Sequence, residues 1–240
     1  MKLLETLQEE KSSRLKGGIY HETQIRLTYN TNRIEGSKLS EKQTRYIYET
    51  NTLVTEEGAN TTNIDDIIET VNHFQSFDYM LKIANEPLSE KHIKKFHKIL
   101  KYNTSDSKKE WFNVGEYKSK PNVVGGLETS QPHEVEKHIS ELLINYNRKK
   151  TISVYDIIDF HYHFEKIHPF QDGNGRVGRL IIFKECLKNN IIPFIIEDEF
   201  KFFYYRGLSE YLKVKGYLVD TCLSAQDNYA TLMKHFEVEV

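Results

Sequence analysis

The stretch IIDFHYHFEKIHPFQDGNGRVGRLIIFKECL, residues 157–187, decides the fold of this chain. Apolar residues recur in it at helical spacing up to Ile167, and Pro169 then disfavours helical geometry at the preceding residue, His168. A loop with two glycines follows at 171–175, after which apolar residues at helical spacing resume. The stretch therefore predicts a helix, a tight loop that carries polar side chains, and a second helix.

The rest of the sequence predicts an all-α protein. Apolar stripes at helical spacing fill residues 64–81 and 135–146. Ser40 and Ser153 each stand three positions before a side chain able to reach back, which is typical of a helix start. The chain contains no repeat, low-complexity stretch or linker, so we predict one domain over residues 1–240.

One segment breaks the helical pattern. Residues 111–126, WFNVGEYKSKPNVVGG, combine β-branched residues with a proline and three glycines. This composition favours a short β-hairpin that projects from the helices, with a plain surface loop as the alternative.

The composition excludes several classes of protein. The 33 Lys+Arg nearly balance the 35 Asp+Glu, and the formal net charge of −2 lacks the basic excess of a dedicated nucleic-acid binder. The apolar run at 191–196 is far too short to span a bilayer, and Glu5 interrupts the N-terminal apolar residues before a signal peptide can form. Two cysteines, Cys186 and Cys222, do not make a disulfide framework. We expect a cytoplasmic protein without membrane or nucleic-acid partners.

The loop between the two predicted helices has the composition of an anion site. Gly173 and Gly175 flank Asn174, and glycines let successive backbone N–H groups converge on one anion. The following helix adds the unpaired N–H groups and positive dipole end of its N-terminus. Arg176 and Arg179 fall in the first predicted turn of that helix, where the dipole disfavours cations. We therefore expect a polyphosphate to compensate both guanidinium groups.

Two further side chains indicate chemistry on such a phosphate. Asp172 offers the hard oxygen that Mg²⁺ prefers, with substrate phosphates and water as the other ligands. His168 is a candidate general base, because an imidazole with a pKa of about 6.5 accepts a hydroxyl proton at neutral pH. A metal cluster of His161, His163 and His168 is the alternative, but their spacing does not place them on one helical face, which favours structural roles.

Residues 168–179, HPFQDGNGRVGR, resemble the signature of the Fic family, HPFx[D/E]GNGRxxR, with every fixed position present. The resemblance implies a helical core and transfer of AMP from ATP to a protein hydroxyl. It implies His168 as the base and Asp172 as the ligand of Mg²⁺, or of Mn²⁺ in its place. The residues that would hold the nucleotide phosphates are Gly173, Asn174, Gly175, Arg176 and Arg179.

Two other segments extend the resemblance, which covers roughly residues 20 to 215. The predicted hairpin resembles the family's flap, where an extended target segment would add as a strand to Val123, Val124 and Gly125. Tyr204 and Tyr205 resemble a tyrosine pair that lines the nucleotide site in many members, and ordinary core aromatics are their alternative interpretation.

Thr31 to Gly36, TNRIEG, match the pattern [S/T]xxxE[G/N], which resembles the inhibitory helix of one Fic class. The pattern alone is weak, and a helix that ends at a glycine cap is its neutral interpretation. Glu35 would lie in a last helical turn, where the dipole disfavours an anion just as it disfavours Arg179 in a first turn. We expect these two side chains to pair, and the N-terminal segment 1–36 to inhibit the enzyme.

The sequence thus predicts a protein adenylyltransferase with an inhibitory N-terminal glutamate. Its partners would be ATP and a protein with a Ser, Thr or Tyr hydroxyl, including the chain itself, and a homo-oligomer is left open. Two alternatives remain: an enzyme that removes AMP or transfers another phosphate-linked group at this site, and a non-catalytic interaction module. Intact His168 and Asp172 disfavour the module, and glycine instead of lysine at position 175 disfavours the kinase-like branch of the family.

Overall fold

The computed structural model describes residues 2–54, 61–125 and 127–239. These residues form a mostly helical protein with one two-stranded antiparallel ribbon, which confirms the predicted all-α class with a small hairpin. The helices are α1 (Leu3–Ser13), α2 (Ile19–Ile34), α3 (Glu41–Thr50), α4 (Ile64–Lys82), α5 (Glu90–Leu100), α6 (Val135–Asn147), α7 (Val154–Ile167), α8 (Asn174–Lys188), α9 (Lys201–Glu210) and α10 (Gly216–His235). The strands are β1 (Val123–Val124) and β2 (Leu127–Glu128).

Helix α8 lies at the centre of the molecule. Its residues 174–187 are all buried, and it packs against α7, α4, α5 and α2. A helix surrounded in this way needs no polar face, which explains why the sequence after the glycine loop is apolar on several sides. Four charged residues are exceptions: Arg176 and Arg179 near its start, and Lys184 and Glu185, whose charges pair at 2.7 Å. The predicted phosphate loop therefore stands at the N-terminal end of the most buried helix.

The helix ends follow the predicted signals. Ser40 and Ser153 both form capping boxes, in which the serine hydroxyl accepts from a backbone N–H and the third helical side chain accepts in return. Helix α7 ends at Ile167, and His168 adopts the left-handed conformation with φ 52°. A non-glycine residue held there is disfavoured by sterics, so the surrounding loop must fix it.

The predicted hairpin range of 111–126 was wrong in its bounds. Only Val123–Val124 and Leu127–Glu128 pair as strands, so the ribbon is shorter and extends beyond the predicted end. The β-branched pair Val123–Val124 favours strand geometry, and Pro121 just before it has no N–H for a ladder. Gly126 lies outside the described residues.

The apolar core is nearly continuous. One cluster contains buried side chains from every helix listed above except α3, and a smaller cluster of Leu39, Ile47 and Phe74 lies beneath α3. Both cysteines are free thiols inside this packing. Among the described residues, no helix combines the length and the apolar character needed to cross a membrane. The assignment of residues 1–240 to one domain stays a prediction.

Four buried histidines should make the fold sensitive to acid. Burial lowers the pKa of His73, His97 and His161 to about 3, and that of His168 to about 4. Each ring is neutral in the folded chain but binds a proton below about pH 6.5 once the chain unfolds. The stability that the neutral rings contribute is thus complete above pH 6.5 and is lost as the pH falls toward 4. Glu165 opposes part of this loss, because burial raises its pKa to about 8 and the folded chain binds one extra proton there.

We expect the free energy of unfolding to fall by roughly 3 kcal/mol between pH 7.5 and pH 5.5. Urea unfolding at the two pH values measures this change. The carboxylates with lowered pKa, such as Asp172, lose their stabilising effect only below about pH 4 and do not disturb the window. Equal unfolding free energies at both pH values would contradict the burial of neutral rings.

Candidate active site

His168 closes α7 and opens the loop. Its backbone N–H donates to the carbonyl of Phe164 at 2.9 Å, and its side chain is only 16% exposed. Burial, aided by the nearby Lys118 ammonium, lowers the pKa of His168 to about 4. The imidazole is therefore neutral at pH 7 and has a lone pair available to accept a proton.

The loop ahead of α8 is held by its own asparagine. The Asn174 side chain accepts from the Phe170 N–H at 2.8 Å and donates to the Phe170 carbonyl at 2.9 Å. Gly173 stands before the helix in the left-handed conformation, φ 80°, and no side chain caps the first turn of α8. The uncapped N–H groups leave an N-terminus able to bind an anion. Asn174 thus shapes the site through its side chain and can meet a ligand only through its backbone.

Asp172 is embedded in a network of charges that the sequence did not reveal. Its Oδ2 accepts from Lys101 Nζ at 2.7 Å and from Arg176 Nη2 at 3.1 Å. Lys101 also pairs with Glu69 at 2.6 Å, and Glu69 pairs with Arg176. Burial raises the pKa of Asp172, but Arg176 and Lys101 outweigh it and hold this pKa well below its usual range. Asp172 is therefore ionised at any physiological pH.

Asp172 fits the role of a magnesium ligand. Its side chain is 44% exposed at the open side of the loop. Within residues 2–54, 61–125 and 127–239, no group of three His, Cys, Asp or Glu side chains could hold a metal ion alone. A single ionised carboxylate suits Mg²⁺ when phosphates and water complete the coordination. The predicted role of Mg²⁺ or Mn²⁺ stays a prediction.

The two arginines of the motif occupy different environments. Helix α8 begins at Asn174, because Gly173 forms its cap, so Arg176 lies in the first turn and Arg179 one turn later. The expectation that both lie in the first turn was wrong. Arg176 is directed toward Asp172 and Glu69, whereas Arg179 points toward α2.

Arg179 meets the predicted counter-charge. Its Nη2 lies 2.5 Å from Glu35 Oε1, at the C-terminal end of α2, and its Nε donates to the Thr31 hydroxyl. The Arg179 side chain is 4% exposed and that of Glu35 26% exposed. A methyl group built on Gly175 would lie 2.2 Å from Glu35 Oε1, so the bare Cα of this glycine is what admits the carboxylate. The ends of α2 and α8 are thus joined by an ion pair.

The tyrosine pair adjoins this ion pair. The buried Tyr204 hydroxyl lies 3.4 Å from Arg179 Nη1 and 2.7 Å from His161 Nε2. Tyr205 is partly exposed, and its hydroxyl donates to the Ile34 carbonyl at 3.0 Å. Tyr204 has the environment of a core aromatic, and Tyr205 is the member of the pair with an accessible ring. Their contact with a nucleotide stays a prediction.

The flap segment is tied to the catalytic loop. The Lys118 N–H donates to the Pro169 carbonyl at 2.9 Å, and the Asn122 side chain donates to the Phe170 carbonyl at 3.0 Å. Val123, Val124 and Gly125 are all exposed, with Gly125 in the left-handed conformation at φ 56°. An exposed edge strand beside the loop offers backbone groups to a further strand.

The residues that the sequence missed come from distant parts of the chain. Glu69 lies on α4 and Lys101 directly follows α5, 71 positions before Asp172. Lys118 is nearly fully buried beside His168, and burial lowers its pKa to about 8. No local motif marks these residues, because their roles arise only when the helices pack. The sequence contains one weak sign of such a role: Lys101 directly follows the apolar residues of α5.

Comparison with known proteins agrees with this geometry. Residues 87–185 match the Fic/DOC family, a range that includes the whole motif at 168–179. This match confirms the resemblance seen in the sequence. Over 95 residues it is 36% identical to the probable protein adenylyltransferase aq_aa38 of Aquifex aeolicus, a match that covers 38% of this chain and 30% of that protein.

Solved structures share the fold along most of the chain. A Fic-domain-containing signalling protein of Bacteroides thetaiotaomicron superposes with a TM-score of 0.75 at 21% identity, covering 95% of this chain and 94% of the other. Fic-1 of C. elegans gives 0.73 at 19% identity, covering 96% of this chain and 70% of the other. At these identities the likeness establishes the fold, which reaches well beyond residues 87–185.

Proposed function

We propose that this chain is a protein adenylyltransferase, which transfers AMP from ATP to a Ser, Thr or Tyr hydroxyl of a protein, itself included. The observation that carries the proposal is the position of a neutral, buried His168 on the same loop as the ionised Asp172 and the uncapped N-terminus of α8. A base, a metal ligand and an anion site within a few residues form a complete set for nucleotidyl transfer.

The loop would bind the triphosphate. Backbone N–H groups at the start of α8 would donate to phosphate oxygens, favoured by the positive end of the helix dipole. Asp172 would hold the Mg²⁺, which supplies charge neutralisation for the phosphates and the leaving group. Arg179, once free of Glu35, would donate to the outermost phosphate.

His168 would act on the acceptor hydroxyl. Its neutral ring accepts the hydroxyl proton as the acceptor oxygen forms a bond to the α-phosphorus of ATP. The bond between that phosphorus and the bridging oxygen of the β-phosphate breaks at the same time, and pyrophosphate leaves. The acceptor segment would reach this point by pairing as a strand with the exposed Val123–Val124 edge.

The proposed regulation rests on the Glu35–Arg179 ion pair. While this pair is closed, the guanidinium is occupied by a carboxylate and cannot bind the outermost phosphate. ATP would then bind with its α-phosphorus out of line for attack, which lowers turnover more than affinity. We infer that the end of α2 inhibits the enzyme.

The test of the proposed function uses ATP labelled at the α- or at the γ-phosphate. The chain is incubated with Mg²⁺ and each nucleotide, and its intact mass is measured. We expect the α-label and the mass of AMP to appear on protein, and the γ-label to leave as pyrophosphate. Transfer of the γ-label would indicate a phosphotransferase, and the absence of any covalent label with added acceptor proteins would favour an interaction module.

Asp172→Ala should raise the Mg²⁺ concentration needed for half-maximal transfer by about tenfold or more, because even the loss of a residue that only supports a ligand has effects of that size. Titration of Mg²⁺ at fixed ATP measures the shift. Asp106→Ala is a matched control, because Asp106 also pairs with Lys101, at 3.3 Å, but lies outside the loop. An unchanged activation curve for Asp172→Ala would mean that the nucleotide alone holds the ion.

A further inference from the structure

Glu165 lies against His168 in an arrangement that the proposed chemistry does not yet use. It stands one turn earlier on α7, with its Oε2 3.9 Å from His168 Nδ1. Both groups contain buried polar atoms, His168 Nδ1 and Glu165 Oε1, that make no hydrogen bond to any described residue. A buried polar atom without a hydrogen bond lowers the free energy of unfolding. Two such atoms on neighbouring side chains, one in the last turn of α7 and one directly after it, therefore need an explanation.

The space for Glu165 is created by a glycine. A methyl group built on Gly178 would lie 2.7 Å from Glu165 Oε1 and 2.8 Å from the His161 ring. The residue just before Arg179 therefore has no side chain where this carboxyl packs. Any side chain there would push Glu165 away from its place beside His168.

Charged and titratable groups face Glu165 from several helices. Burial raises its pKa to about 8, Arg179 on α8 acts to lower it, and Glu35 at the end of α2 acts to raise it. Tyr204 on α9 also interacts electrostatically with Glu165.

His161, which packs with Glu165 around Gly178, stays neutral because burial lowers its pKa to about 3. Glu165 is the carboxyl group near His168 whose protonation changes close to neutral pH. Lys118, also near His168, titrates in the same range, because burial lowers its pKa to about 8.

We propose that Glu165 is a positioning residue that decides which ring nitrogen of His168 carries the proton, and thereby whether His168 can act as a base. The inference rests on the proposed function, in which His168 Nε2 receives the proton of the acceptor hydroxyl. In this role Glu165 would act only through His168, without contact with the nucleotide or the acceptor.

The two protonation states of Glu165 have opposite consequences. An ionised carboxylate accepts from Nδ1–H, so the lone pair is on Nε2 and the ring is ready to take a proton. A protonated carboxyl donates its O–H to Nδ1, so the ring proton is on Nε2 and no lone pair faces the acceptor. After proton transfer, the ionised carboxylate also lies beside the new imidazolium, which a buried site otherwise disfavours. The Glu165 backbone carbonyl also faces the ring and favours Nδ1–H, but it cannot donate and so cannot produce the second state.

The same arrangement links the base to the inhibitory contact. Because Glu35 favours the protonated form of Glu165 and Arg179 disfavours it, withdrawal of Glu35 shifts Glu165 toward the ionised form. Release of Arg179 for phosphate binding and selection of the active form of His168 would then occur together.

The experiment is ¹⁵N NMR of histidine-labelled full-length chain, because the nitrogen shifts distinguish Nδ1–H from Nε2–H rings without any substrate. The His168 signals are those missing from the spectrum of His168→Ala. In the wild type we expect the Nε2–H form below pH 7 to give way to the Nδ1–H form with a midpoint near pH 8. Glu35→Gly should move this midpoint to lower pH, and Glu165→Gln should abolish the transition.

Glu185→Gln is the matched control, because Glu185 is a buried glutamate on α8 that pairs with Lys184 away from the loop. It should keep the wild-type transition. In transfer assays, Glu165→Gln should lower kcat about tenfold or more with an unchanged KM for ATP. A wild-type ring whose tautomer does not change between pH 6.5 and 9.5 would overturn the proposal without need of any variant, as would an unaltered transition in folded Glu165→Gln. If the transition is present but no AMP transfer occurs, the proposed function fails and the control of the tautomer stands.

Discussion

His168→Ala is expected to abolish AMP transfer and to leave ATP binding intact. A general base contributes typically about 10²–10⁴-fold to a rate but little to the affinity of the ground state. The proposed phosphate site depends on the start of α8 and on the two hydrogen bonds between the Asn174 side chain and the Phe170 backbone. The His168 imidazole takes part in neither. Initial rates of label transfer and calorimetric binding of ATP with Mg²⁺ measure the two quantities separately.

His163→Ala provides the control for this substitution. His163 is a histidine of the same helix, α7, but its side chain is 44% exposed and pairs with Asp159 away from the loop. Its removal should change neither quantity. Transfer by His168→Ala at the wild-type rate would eliminate the role of this residue as the base, and loss of ATP binding would assign it a structural role in the loop.

Glu35→Gly is expected to raise the rate of automodification by about 10- to 150-fold. The range corresponds to a charge-assisted hydrogen bond worth roughly 1.5–3 kcal/mol that no longer competes for the Arg179 guanidinium. Glycine is also well tolerated where a helix ends, so the substitution should not unfold the end of α2. Label incorporation per minute at saturating ATP gives the comparison.

Arg179→Ala should not imitate this activation, because in the proposed function the same guanidinium would serve both inhibition and phosphate binding. The double variant should be as inactive as Arg179→Ala alone. Glu237→Gly is the control, since Glu237 is an exposed glutamate just beyond α10 and far along the chain from the ion pair. Equal rates for the wild type and Glu35→Gly would eliminate the inhibitory role of α2.

The sequence predicted those parts of the site that depend on neighbours in the chain. Pro169 predicted the end of α7, two serines predicted capping boxes, and the glycines around Asn174 predicted an uncapped helix start, because each is a local steric or hydrogen-bonding preference. The sequence also predicted that Glu35 and Arg179 would pair, although Arg179 lies one turn beyond the first turn in which the dipole argument had placed it. The preferences at the helix ends act between residues that are close in the sequence, so they can be recognised without knowledge of the fold.

Other parts depend on packing and could not be predicted. Lys101 and Glu69 neutralise Asp172 and Arg176 from two other helices, and no periodic pattern distinguishes them from ordinary surface charges. Glu165 was visible three positions before His168, but its importance follows from burial, which a sequence does not state. The strands are also shorter than the predicted hairpin, because β1 consists only of the two β-branched residues Val123 and Val124.

Under the proposed function, the inhibitory carboxylate and the nucleotide phosphates would occupy the same space beside Gly175. The missing side chain that would let phosphate approach the backbone at the start of α8 is also the opening through which the Glu35 carboxylate reaches Arg179. A bulkier residue at this position would shut out the inhibitor and would crowd the substrate as well. If the proposed function holds, variation that relieves inhibition should therefore accumulate at the end of α2 instead of in the loop, and the rate of transfer could change while residues 168–179 stay the same.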